Sequence, residues 1–222
     1  MKINRLAVLL INLTVLLSGL SSTSAPAKSS EVAVTALSFQ THADFFSNET
    51  KASAPLDPQV FVSDAAAQAG VGPQQITHVS GFRNALKTDA STRRLYNANG
   101  LALNVTVGNW LGAGGDVVFN QRADGTEKIT VILSGLIPAG TYSLFENHFD
   151  QRPTGFSPLD GTGTGNSFEA SKDGKAVFTV LAAAPLTHNN AVLVVYHSDG
   201  QTHGKSRGII GVNAHHQLIA QP

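Results

Sequence analysis

The chain has 222 residues, 15 Lys and Arg against 15 Asp and Glu, eight histidines and no cysteine. A balanced charge with no basic cluster excludes nucleic acid as the partner, because neutralising phosphates needs grouped Lys and Arg. The missing cysteines exclude a disulfide framework, so a hydrophobic core must hold the fold, and they exclude a lipoprotein anchored through a cysteine thioether.

The chain opens MKINRLAVLLINLTVLLSGLSSTSAPAKSS. Lys2 and Arg5, an apolar run from Leu6 to Leu17 and small residues ending in Ala25-Pro26-Ala27 have the layout of a secretory signal peptide. The run falls short of the ~20 apolar residues of a membrane span. Export is therefore expected, with 1–27 removed, no membrane span in the mature chain, and a secreted or periplasmic location. Losing Lys2 and Arg5 takes the cations from 15 to 13 against 15 acidic residues, a slightly acidic balance. About 195 residues remain, enough to bury one core.

Residues 28–94 are rich in Ala, Ser, Thr, Gln and Pro, with few apolar residues in any period. They read as a partly ordered extension or linker, the alternative being a small packed subdomain. Within them SDAAAQA, Ser63 to Ala69, has the composition of a short helix capped by Ser63 and ended by Gly70.

Beyond Arg94 the pattern changes. Leu101, Leu103, Val105 and Val107 alternate with Ala102, Asn104 and Thr106, the period of a half-buried strand. Further strands are expected at 116–121, 127–136, 140–148, 166–171, 175–182, 191–197 and 212–220. Asp-Gly pairs at 124–125, 173–174 and 199–200 supply the turn chemistry for positive φ angles. AVLVVYH, Ala191 to His197, is apolar on both faces and belongs in the middle of a sheet. PTGFSPLDGTGTGN, Pro153 to Asn166, carries Pro and Gly without period and reads as a long loop. Trp110 reads as a core plug rather than a sugar-stacking platform.

The chemistry-bearing residues gather near the C-terminus in YHSDGQTHGKSRGIIGVNAHHQL. A tight Asp199-Gly200 turn brings His197 and His203 to one rim. His215 and His216 are adjacent on a strand, so only one of them can join a given cluster. His148 ends another strand and joins that rim only if the strand order allows. Three imidazoles around one point suit zinc or copper with an open fourth position. Asp199, Glu146 and Asp150 are then candidate ligands or acceptors that fix the imidazole tautomer. The plainer reading keeps these as rim and turn histidines, with one of His215 and His216 hydrogen bonded in the core.

Several sharper chemistries drop out. Blue copper needs a thiolate, and neither a His-x-His pair nor His-Glu-x-x-His occurs. GKSRG, Gly204 to Gly208, matches Gly-x-Ser-x-Gly, with Ser206, His203 and Asp199 as a conceivable triad, but it lies between β segments with no helix after it. LGAGGD and DGTGTGN lack the Lys-Ser/Thr ending of a phosphate loop, and the second has a single acidic residue where calcium loops have several.

LSGLIPAGTYSLF, FSPLDGTGTGNSFEASKDG, VVYHSDGQTHG and GVNAHHQL resemble a group of exported prokaryotic proteins of unknown function with a C-terminal β-sandwich-like domain. The likeness covers about Tyr96 to Gln217 and implies no catalytic residues.

The combined expectation is an all-β chain: a leader at 1–27, a weakly structured extension at 28–94, and an antiparallel β-sandwich of immunoglobulin- or cupredoxin-like architecture at 95–222. Its expected role is an exported non-enzymatic binding module for an unknown ligand or envelope partner, with zinc or copper on a rim drawn from His148, His197, His203, His215 and His216. The rivals are a metal-dependent or serine hydrolytic enzyme using the same rim, and a cell-surface adhesion or structural domain.

Overall fold

Alternating apolar residues punctuated by Asp-Gly turns fold into antiparallel sheets, as the sequence leads one to expect. A computed structural model describes residues 34–222. The expected leader, 1–27, and residues 28–33 lie outside them. The first half of the described chain carries β1 (Val34–Ser38), β2 (Gln40–Thr41), α1 (His42–Thr50), β3 (Leu56–Ser63), β4 (Gly70–Val71), β5 (Thr77–His78), β6 (Phe82–Leu86), β7 (Arg94–Tyr96) and β8 (Ala102–Thr106). There follow α2 (Val107–Leu111), β9 (Gly114–Gln121), β10 (Glu127–Ser134), β11 (Thr141–His148), β12 (Gly155–Pro158), β13 (Ser167–Glu169), β14 (Ala176–Ala182), β15 (Asn190–His197) and β16 (Ala214–Ala220).

Three larger sheets form a sandwich-like arrangement. Their orders are β1-β9-β10-β14, β12-β11-β15-β16-β2 with β13 also on β11, and β6-β3-β7-β8. In β10 Glu127, Ile129, Val131 and Leu133 point inward while Lys128, Ile132 and Ser134 face out, the alternation of a strand with one buried face. The main core lies between the first two sheets and takes in Val60, Val62 and Leu95 of the third, with Trp110 plugged into it at 2% exposure. β15 is flanked by β11 and β16 and buried on both faces. Tyr196, Val194 and Val192 face the main core. Val195, Leu193 and Ala191 face a second cluster covered by Phe45 of α1, Phe149 and Phe156. Gly125, Gly174 and Gly200 all take positive φ, as their Asp-Gly turns require.

Three sequence expectations need correction. Residues 34–94 are built into the sheets: Ala36 pairs with Val118, Gln40 with Ile219, and six of the eight residues of β3 are buried. The composition hid this because the buried face of β3 carries Asp57 and Gln59, polar side chains that only tertiary partners can justify. The helix expected at 63–69 is absent. A seven-residue helix is too short to hold by itself, and Asp64 instead accepts the Ala66 N–H on its side chain and the Ala67 N–H on its carbonyl, closing a turn. The long loop at 153–166 contains β12, which pairs with the end of β11. Among the described residues no helix is long and apolar enough to cross a membrane.

Buried polar bonds tie the third sheet to the second. Gln59 Oε1 accepts the backbone N–H of His216, its Nε2 donates to Gln74 Oε1 (2.7 Å) and lies 3.0 Å from His216 Nδ1, and its carbonyl accepts from His215 Nδ1. Nearby, Trp110 Nε1 donates to Asp57 Oδ2 (2.9 Å), and the Trp110 carbonyl accepts from Gln217. Replacing Gln59 by Leu strands several buried groups at once, each costing roughly 1–3 kcal/mol. Gln59→Leu is expected to lose about 3 kcal/mol in urea unfolding; an unchanged midpoint would show that these bonds carry no stability.

Candidate functional site

Strand register decides which histidines meet. His197 pairs with Thr141 and His148 with Asn190, so the two lie at opposite ends of the β11-β15 ladder. His148 is taken up locally: Nε2 reaches Ser157 Oγ (2.8 Å), Asn190 Nδ2 approaches Nδ1 (3.3 Å), and Glu146 lies 3.6 Å away. The expected inclusion of His148 in the rim is thereby corrected.

His197 and His203 do come together, with ring centroids 5.2 Å apart. Their Nε2 atoms point to different partners, Ser143 Oγ for His197 (2.8 Å) and Asp199 Oδ2 for His203 (3.1 Å). His197 Nδ1 is buried without a partner. Burial, then the neighbouring His203, lowers its pKa to about 4. Ser206 Oγ accepts from the Gly208 N–H instead of engaging His203.

His215 and His216 point to opposite faces, as adjacent strand residues must. His215 sits among Trp110 and Tyr196 on the main-core side and bridges the Gln59 carbonyl (3.1 Å) and Ser198 Oγ (3.2 Å). The five-histidine rim does not assemble. Among the described residues no three His, Cys, Asp or Glu side chains are grouped to hold a metal ion. Asp160 is also spent internally. Burial pushes its carboxyl up, but hydrogen bonds from Thr162, Gly163 and Gly165 outweigh that and hold it at about 2.

The opposite face of β16 presents another constellation, which sequence reasoning missed. His216 faces His42, the first residue of α1, with ring centroids 4.9 Å apart in a T-shape. Arg207 Nη1 lies 3.1 Å from His216 Nε2, and the guanidinium stacks 3.1 Å over the Phe156 ring. Thr41 caps α1 by accepting the Asp44 N–H and donating to the Asp44 carboxylate, which fixes His42 at the start of the helix. Two adjoining hollows of about 430 and 540 Å³ share Gln74, Thr154, Phe156 and His216. Each is the size of a small-molecule cleft, roughly 300–1,000 Å³.

No family model, curated protein or solved structure matches this chain.

The cleft's polar groups are under-partnered. His42 Nδ1 and Asn147 Oδ1 are buried with no hydrogen bond. Arg207 pairs with no carboxylate among the described residues, and burial brings its pKa down to about 10. Burial, then Arg207, lowers His42 to about 3. His216 falls well below 6.5 through burial and then the positive charge that His42 and Arg207 would set against its own. The sequence signal was Thr41-x-x-Asp44, a capping pair ahead of two phenylalanines, and the Arg207 within GKSRG, a motif weighed only for its serine.

Four buried imidazoles, His42, His197, His215 and His216, thus stay neutral in the fold and ionise near 6.5 when it opens. Their folded pKa values are depressed, so the stability they permit is complete above 6.5 and drains as pH falls from there, to about 4 for His197 and His215 and to about 3 for His42. Each contributes about 1.4 kcal/mol per pH unit. Asp57, raised to about 6 by burial, works in the other direction between 6 and 3.8, as do Glu127 and Glu146, which burial also raises, but these three are opposed by the four imidazoles. The urea midpoint is expected to fall steeply between pH 7 and pH 5, and equal midpoints would contradict the assignment of neutral buried imidazoles.

Proposed function

We propose that the protein is an exported, non-enzymatic binding module whose ligand occupies the cleft between α1, the 149–156 segment and Arg207. The observation that carries this reading is the unsatisfied buried imidazole of His42 beside a guanidinium without a counter-ion, in a hollow of ligand size. Buried polar groups in folded chains nearly always find partners, so an unpartnered imidazole in the wall of a cleft marks where a partner is missing. The leader-like N-terminus supports export. Catalysis has less support: His203 is oriented by Asp199, as a base would be, but Ser206 does not reach it.

A fragment screen read by amide chemical shifts tests the reading on the chain without its leader. Binders are expected to move the signals of His42, Phe156 and His216 together. Shifts scattered over the surface, or confined to the His197–His203 rim, would place the ligand elsewhere and defeat the proposal.

A further inference from the structure

We infer that the ligand of this cleft is an organic carboxylate, its charged end held by Arg207 and His216 and its apolar body laid along Phe45, Phe149 and Phe156. The inference rests on the binding reading above and adds the ligand's chemistry.

Protons are in excess around the His216 ring. A neutral imidazole has one acceptor nitrogen and one donor. Two donors face it: Gln59 Nε2 at Nδ1 (3.0 Å) and Arg207 Nη1 at Nε2 (3.1 Å). Whichever tautomer is present, one contact sets a hydrogen against a hydrogen. Gln59 cannot give way, because its Oε1 is held by the His216 backbone N–H and its Nε2 by Gln74. His216 Nδ1 is therefore the acceptor, Nε2 carries the hydrogen, and Arg207 is the partner that must yield.

Arg207 and the Nε2–H of His216 are then adjacent donors with no acceptor between them. A carboxylate accepts from both, restoring the count and giving the guanidinium its counter-ion. Glu49 also lines the hollow, but it is exposed and makes no ion pair with Arg207. Asn147, on the same lining, also holds its Oδ1 without a partner.

Phe45, Phe149 and Phe156 share the wall with polar side chains, among them Arg152, Thr154 and Gln221. Phe45 stacks on Phe149 with centroids 5.7 Å apart, and Phe156 lies under the guanidinium. A bare inorganic anion would leave these rings in contact with water. An apolar body covers them.

Isothermal titration with 3-phenylpropionate, 3-phenylpropionamide and inorganic phosphate separates the possibilities. The carboxylate is expected to bind about tenfold or more tighter than the isosteric amide, the scale of one charged hydrogen bond, and tighter than phosphate. Arg207→Gln should erase that preference, while Arg207→Lys, which keeps the charge and loses the fork, should retain part of it. Should Arg207→Gln fail to fold, the carboxylate and amide comparison on the unaltered chain still decides. Amide binding as tight as carboxylate, or phosphate binding as tight as either, overturns the inference. So does binding of none of the three, and neutral fragments mapped to His42 and His216 would then leave the binding reading intact.

Discussion

Gln59 joins two sheets through one side chain and one carbonyl. It takes the His216 backbone N–H, reaches the His216 ring, supports Gln74 and receives His215. Buried amides are costly unless every lone pair and proton finds a partner, so once Gln59 is placed at 0% exposure the positions around it are determined. β16 must run beside it in this register, with His215 on one face and His216 on the other. Asp57, two residues earlier, repeats the device by holding the Trp110 indole.

The two faces of β15 and β16 then acquire different characters. Toward the main core, His215 is closed in by Trp110, Tyr196 and its two hydrogen bonds, leaving both ring nitrogens occupied. Toward α1, His216 meets aromatic rings, a second imidazole and a guanidinium, and the count of donors and acceptors does not close. One face is a finished core and the other an unfinished site. That difference, rather than the number of histidines in the C-terminal stretch, directs function to the cleft.

Much of the sheet architecture was legible because β10 and β14 carry their period, and β15 its unbroken apolar run, in their own residues, and because Asp-Gly turns impose positive φ wherever they stand. β3 was not legible. LDPQV reads as polar and breaks at proline, and its burial depends on partners more than 150 positions away, His215 and His216. The same distance hid the site. His42 and Arg207 are separated by most of the described chain, and no spacing rule joins them. His197 and His203 were brought together correctly, since one tight turn controls both, whereas His148 depended on strand order, which local residues do not encode.

The most direct measurement is the tautomer of His216, read from long-range proton–nitrogen correlations of its imidazole in uniformly ¹⁵N-labelled protein at pH 7. A neutral ring is expected, with its hydrogen on Nε2 and Nδ1 accepting from Gln59. A hydrogen on Nδ1, or a doubly protonated ring at that pH, would contradict both the role of Gln59 as the fixed partner and the cleft's need for an outside acceptor.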